Sequence, residues 1–172
     1  MIIGENVKLL SLDSKYENIV LKWVNDPEIK EMVGTLYPVS DVEHKKWFNT
    51  KQIDPLNKTF IISNMNDDIL GLIGLTNTNL INRNAELFIY IGEKQYWGKG
   101  FGLSAVNTLC DFAFKNMNLY KVYLNVFEYN SNAIKTYIKA GFKTEGVFQE
   151  HIYKNGEYHN VRTMAKIKGG II

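Results

Sequence analysis

The chain has 172 residues, 45% apolar and 22% charged, the balance of one ordinary globular domain with a sizeable core, which excludes disordered and fibrous classes. Twenty basic against eighteen acidic residues leave a formal charge of +2, too little for a dedicated binder of nucleic acid or membrane surfaces. One cysteine, Cys110, excludes an internal disulfide framework and a cysteine-cluster zinc site, and His44, His151 and His159 show no metal-ligand spacing, so no metal is expected.

Met1 to Asn6 carry no charged leader before an apolar core, and no apolar stretch approaches the ~18 residues that span a bilayer. A single cytoplasmic domain over residues 1–172 is therefore expected, with Lys168 to Ile172 as a short tail. Val7 to Leu12 reads as a strand. Ser14 to Asn25 sets Tyr16, Ile19, Val20, Trp23 and Val24 at helical spacing, and Asp26-Pro27 breaks or redirects that helix. A second helix is predicted from Ser40, because Ser40 and Glu43 form a capping box, with His44, Trp47 and Phe48 on one face.

Strands follow at Lys58 to Asn64 and Ile69 to Asn77, joined by the polar turn Met65 to Asp68 as a hairpin. Glu86 to Ile91 is so rich in bulky apolar residues that burial on both faces, near the sheet's centre, is expected. A glycine-rich turn ends it, and from Gly100 onward Leu103, Val106, Leu109, Cys110, Ala113, Phe114 and Met117 give a long amphipathic helix. Lys121 to Phe127 alternates as a strand. Asn130 to Ala140 is a short helix with Ala133, Ile134, Tyr137 and Ile138 inward, capped by Gly141. Strands Phe142 to Tyr153 and Tyr158 to Ile167 close the chain through the hairpin signal Asn155-Gly156. The order is one strand, two helices, a β-meander and then βαβαββ, an α/β class with a mixed sheet.

The junction between the apolar strand and the long helix is where chemistry concentrates. Gly98, Gly100 and Gly102 leave room for an anion to approach backbone amides, and the first amides of the helix have no partner within it. Such a turn forms a phosphate cradle, with Lys99 at its rim and the helix dipole favouring the same ligand. A plain glycine-rich connection has the same composition, so the turn by itself leaves both readings open.

Gln95-x-x-Gly98-x-Gly100 after a buried strand resembles the pyrophosphate signature of the GNAT family of N-acetyltransferases. Asn130-x-x-Ala133-x-x-x-Tyr137-x-x-x-Gly141-Phe142 is similar to that family's second cofactor segment. The closing segments Glu145 to Glu150 and Asn155 to Met164 look like those of a subgroup containing ribosomal-protein alanine and spermidine N-acetyltransferases, although many members carry Asp where Asn160 stands. Trp23 to Ile29 and Pro38 to Phe48 resemble its substrate-side helices, and also those of nucleotide-amino-sugar N-acetyltransferases.

The resemblance implies a mostly antiparallel sheet with a splayed parallel strand pair and flanking helices, acetyl-CoA as co-substrate, and direct transfer to a primary amine. The acceptor could be a polyamine, an amino-sugar nucleotide or a protein N-terminus. Phe88, Ile89, Tyr90 and Ile91 would pair with the pantetheine arm like an added strand, an amide near Ile89 or Tyr90 polarising the thioester. The pyrophosphate would lie against Gln95, Tyr96, Trp97, Gly98, Lys99, Gly100, Phe101, Gly102, Leu103 and Ser104, with Asn130 and Asn132 also on the cofactor.

Tyr137 would stand near the leaving sulfur by the same resemblance, whereas its spacing alone reads as packing. Glu86 is the expected substrate-side carboxylate and base, with Glu128 and His151 as weaker candidates and a solvated strand-end glutamate as the alternative. Cys110 reads as core. Glu28, Glu31, Asp41 and Glu43 are acidic groups that could attract a cationic acceptor. A homo-oligomer is compatible with the sequence. The rival reading of another class is a non-catalytic acyl-CoA-binding sensor.

Overall fold

A computed structural model describes residues 1–170 of the chain, so Ile171 and Ile172 of the expected tail lie outside the described residues. Eight strands form one sheet: β1 (Ile2–Ile3), β2 (Val7–Ser11), β3 (Thr59–Asn64), β4 (Ile69–Asn79), β5 (Asn84–Ile91), β6 (Lys121–Phe127), β7 (Lys143–Lys154) and β8 (Glu157–Ile167). Their spatial order is β1-β2-β3-β4-β5-β6-β8-β7, and β5–β6 is the one parallel pair among the described strands. The mixed sheet expected from the sequence is the one found. The helices are α1 (Glu17–Asn25), α2 (Pro27–Val33), α3 (Asp41–Ile53), α4 (Phe101–Lys115) and α5 (Ser131–Lys139).

The core lies in two layers, one on each face of the sheet. Under α4 and α5, Val106, Leu109, Ala113 and Ile134 pack on Leu75, Leu87, Val122 and Leu124. On the other face Val20, Trp23 and Phe48 of α1 and α3 meet Ile61 and Leu72. Seven of the fifteen α4 residues are buried, so tertiary packing of one stripe, more than helix propensity, holds this helix.

Three local expectations are corrected. Asp26-Pro27 does not only interrupt α1: the Asp26 carboxylate accepts from the amides of Glu28 at 2.9 Å and Ile29 at 3.3 Å, and Pro27 takes the first helical position, starting the unforeseen helix α2. Ile138, expected inward, is 56% exposed. The burial of β5 on both faces fails beyond Leu87: Phe88 to Ile91 are only half-buried, because the neighbouring strand departs there. The capping box at Ser40 is present with both of its bonds, and Gly141 follows α5 with a φ of +89°.

Candidate active site

The two parallel strands stay together for three residue pairs, Asn84↔Lys121, Ala85↔Val122 and Glu86↔Tyr123. Beyond these β5 remains paired with β4 as far as Ile91, and β6 with β8 as far as Phe127, so the strands separate like the arms of a fork. A cavity of about 1260 Å³ opens there and continues under α2 and α3 on one side and between α4 and α5 on the other. That exceeds the roughly 300–1,000 Å³ of a pocket for one small molecule and suits a site for two reactants.

At the tip of β5 the chain turns through Gly98 (φ +72°) and Gly100 (φ +84°), a backbone region closed to most L residues, and a Cβ added to either would meet no atom within 4 Å. The space beside the turn is open. Gly100 caps α4 without any side-chain bond, and the first intrahelical bond runs from the Ser104 amide to the Gly100 carbonyl at 3.0 Å. The amides of Phe101, Gly102 and Leu103 therefore precede the helical ladder and are the orphan donors at the cavity wall.

Neighbouring side chains hold this turn. Trp97 donates from its indole to the Ile91 carbonyl at 2.8 Å, and Tyr96 donates from its hydroxyl to Asp68 at 2.9 Å while standing edge-on to Phe101. Among the residues expected at the cofactor, Phe88 to Ile91, Tyr96 to Gly98, Gly100 to Leu103, Asn130 and Asn132 line the cavity. Gln95 and Lys99 do not; both are exposed, with the Lys99 ammonium 5.6 Å from the Tyr96 ring centre. Ser104 lies on the other side of α4, 3.5 Å from the Asn6 amide, and its own amide is already bonded.

Tyr137 projects from the inner face of α5 and lines the same cavity at 9% exposure. Its hydroxyl makes no hydrogen bond among the described residues, and burial pushes its pKa up to about 12, so it stays protonated at neutral pH. Asn130 caps α5 through an oxygen that accepts from the Ala133 amide at 3.2 Å, which leaves its amide nitrogen for the cavity.

Glu86 sits on the last paired residue of the fork, half-buried, with one oxygen accepting from Asn77 at 2.7 Å and the other from Asn125 at 3.0 Å. Glu128 is instead committed to a two-bond pair with Arg162, whose guanidinium holds its carboxyl below the usual range. His151 is exposed and stacks on Phe148 at 4.9 Å; neither it nor Glu128 lines the cavity. Cys110 is fully buried, its thiol pushed up to about 12, and belongs to the core.

Of the acidic helix residues, Glu28 pairs with Lys94, Glu31 with Lys154, and Glu43 closes the capping box; only Glu43 borders the cavity. The cavity wall on the side of α2 and α3 is largely apolar and aromatic, with Leu36, Tyr37, Trp47 and Phe88 contributing. His44, 2% exposed, donates from Nε2 to the Glu17 carbonyl at 3.0 Å and stacks on Trp47. Sequence reasoning did not single out Asn125; its only signal was its place opposite Val122, Leu124 and Val126 in the alternation of β6.

Residues 7–143 match the model of the acetyltransferase (GNAT) domain, and the chain belongs to this family. It is an N-acetyltransferase, and acetyl-CoA is its co-substrate. The chain is 31% identical over 147 residues to a spermidine N(1)-acetyltransferase of Vibrio cholerae serotype O1, covering 86% of this chain and 79% of that protein. A spermidine N(1)-acetyltransferase of Escherichia coli strain K12 is 39% identical over 94 residues, 55% of this chain and half the length of that relative. Among solved structures, the Vibrio cholerae spermidine N-acetyltransferase in complex with CoA and spermine superposes with a TM-score of 0.90 at 27% identity, covering 96% of this chain and 97% of that one.

Proposed function

We propose that this protein acetylates a primary amine of a polyamine, spermidine being the first acceptor to test. The observation that carries the reading is the Glu86 carboxylate at the base of the fork, where the slot between β5 and β6 meets the aromatic wall. A carboxylate beside apolar rings suits an acceptor that is a cation on a hydrocarbon chain. The similarity to spermidine acetyltransferases along most of the chain supports the same acceptor.

In this reading the orphan amides of Phe101, Gly102 and Leu103 bind the pyrophosphate of acetyl-CoA, and the free edge of β5 receives the pantetheine arm. The acceptor arrives as an ammonium and gives one proton to Glu86, directly or through water. Its nitrogen then attacks the thioester carbon, and the carbon–sulfur bond breaks as the sulfur takes a proton from the Tyr137 hydroxyl; the second proton that the nitrogen sheds in becoming an amide passes through water to the tyrosinate, and Glu86 returns its proton to solvent. The Tyr137 phenol carries its proton at neutral pH and lines the cavity, so its O–H is available for that donation.

A cytoplasmic setting and a homo-oligomeric state belong to the same reading. No helix among the described residues is long and apolar enough to cross a membrane, and a Vibrio cholerae spermidine N-acetyltransferase has been solved as a dodecamer. The test is thiol release from acetyl-CoA with spermidine, an amino-sugar nucleotide and an Ala-initiated peptide. A kcat/KM for spermidine at least roughly tenfold above the others supports the proposal; preference for either of the others refutes the polyamine.

A further inference from the structure

Glu86 is one link in a row of side chains that crosses four neighbouring strands. Thr163 on β8 donates from Oγ1 to Asn125 Oδ1 at 2.7 Å, Asn125 on β6 donates from Nδ2 to Glu86 Oε1 at 3.0 Å, and Asn77 on β4 donates from Nδ2 to Glu86 Oε2 at 2.7 Å. Chemistry fixes the direction. An ionised carboxylate only accepts, so each asparagine must present its NH2 to it; the Asn125 carbonyl then faces Thr163, whose hydroxyl must donate.

The register explains how the row is assembled. Asn125 lies directly opposite Thr163, and Glu86 pairs with Tyr123, two residues before Asn125 on the same face of β6. On the other side β4 slips register between Thr76 and Asn79, and Asn77 takes a φ of +50°, a conformation that Asn tolerates better than most residues. The Glu86–Asn125 bond thus spans the fork where backbone pairing stops. Each carboxylate oxygen has two lone pairs and spends one on an amide, so one on each oxygen remains for an amine or its water.

We propose that Asn125 is a positioning residue for amine transfer: held by Thr163, it fixes the Glu86 carboxylate at the base of the fork and so aligns the acceptor with the thioester. This rests on the amine-binding role proposed for Glu86. Asn125 itself acts through that carboxylate. Its loss should weaken use of the amine and leave the co-substrate's handling unchanged, since the cradle and the α5 face lie on other elements.

The experiment compares Asn125→Ala, Asn125→Asp, Thr163→Val and Thr163→Ser with the wild type, using acetyl-CoA and the best acceptor of the amine panel. For Asn125→Ala the amine KM should rise at least roughly tenfold, with the acetyl-CoA KM within about twofold. Thr163→Val should give a smaller loss of the same kind, and Thr163→Ser should restore it. Asn125→Asp sets two carboxyls face to face: while they share a proton the new side chain still donates to Glu86, and once that proton leaves they repel. Its kcat/KM relative to wild type should therefore fall as pH rises, whereas the ratio for Asn125→Ala stays flat.

An unchanged amine KM in folded Asn125→Ala, or equal rises in both KM values, overturns the positioning role and leaves Asn125 a staple of the fork. Should Asn125→Ala not fold, the Thr163 pair and the pH dependence of Asn125→Asp decide in the same way. A wild-type enzyme that acetylates no amine of the panel overturns the proposed acceptor class and this role with it. Wild-type turnover with unaltered variants overturns this role alone.

Discussion

Trp97 donates its indole hydrogen to the Ile91 carbonyl at 2.8 Å, which folds the glycine turn back onto the last residue of the open strand. That carbonyl ends the strand edge proposed above to receive the pantetheine arm, so the bond ties the proposed pyrophosphate turn to the proposed pantetheine edge. Trp97→Phe keeps an aromatic ring and removes the donor. One neutral hydrogen bond contributes about 1 kcal/mol, and acetyl-CoA should bind about fivefold more weakly with turnover at saturation preserved. Titration calorimetry reads the change, and an unaltered Kd would show that the turn keeps its shape without this bond.

The open space beside Gly100 supplies a second prediction. A Cβ there touches nothing within 4 Å, so Gly100→Asp clashes with no protein atom, while the φ of +84° makes any side chain costly by about 1–2 kcal/mol. The carboxylate would also occupy the anion's place at the helix N-terminus. Acetyl-CoA affinity should fall at least roughly tenfold, about 1.4 kcal/mol, beyond what the loss of stability explains. Melting curves with and without acetyl-CoA separate the two effects, because only the second removes the ligand-induced rise in Tm.

Tyr137→Phe removes a hydroxyl whose only role in the proposed reaction is to protonate the sulfur. Turnover should drop at least roughly tenfold, with the acetyl-CoA Kd within twofold. The same group makes a stability prediction. Its pKa is about 12 in the folded chain against an ordinary value near 10, so below pH 10 the phenol is protonated in both states and stability does not depend on it. Between about pH 10 and 12 the unfolded chain releases the proton first, and stability falls as pH rises. The variant should lose less stability than wild type over that window, measured by denaturant titration.

Much of the fold is legible because period and punctuation agree: the capping box at Ser40, the alternation of Lys121 to Phe127 and the Asn155-Gly156 turn each specify local geometry without tertiary help. Asp26-Pro27 shows the limit. Proline interrupts one helix and occupies the first position of the next, and only the Asp26 bonds to the amides of Glu28 and Ile29 decide which event occurs. The half-exposure of Phe88 to Ile91 is illegible for a different reason, since apolar composition cannot say where a parallel neighbour departs. The candidate site divides similarly. Its glycine turn is contiguous, whereas the environment of Glu86 comes from Asn77, Asn125 and Thr163, which only register brings together.

Lys154, at the end of β7, ties the end of α2 to a hairpin more than 120 residues away in sequence. Its ammonium donates to the carbonyls of Lys30 at 3.1 Å and Glu31 at 2.8 Å, lies 3.3 Å from the Glu31 carboxylate, and is held in a side chain only 12% exposed. Those carbonyls belong to the last turn of α2, where the Lys30 carbonyl also accepts from the Gly34 amide at 3.0 Å and a positive charge meets the negative end of the helix dipole. Met32 and Val33, which follow directly, line the cavity, as do Leu36 and Tyr37 beyond them. Lys154→Met keeps an unbranched apolar side chain and removes the charge, which also lies 5.6 Å from the Phe127 ring centre. It should cost about 1–2 kcal/mol and lower Tm by about 2–8 °C. In the proposed reaction the wall it anchors is on the amine's side and not on that of the glycine turn, so the amine KM should rise while the acetyl-CoA KM holds. A lower Tm with both KM values unchanged would mean that the wall stands without its anchor, and that Lys154 serves α2 alone.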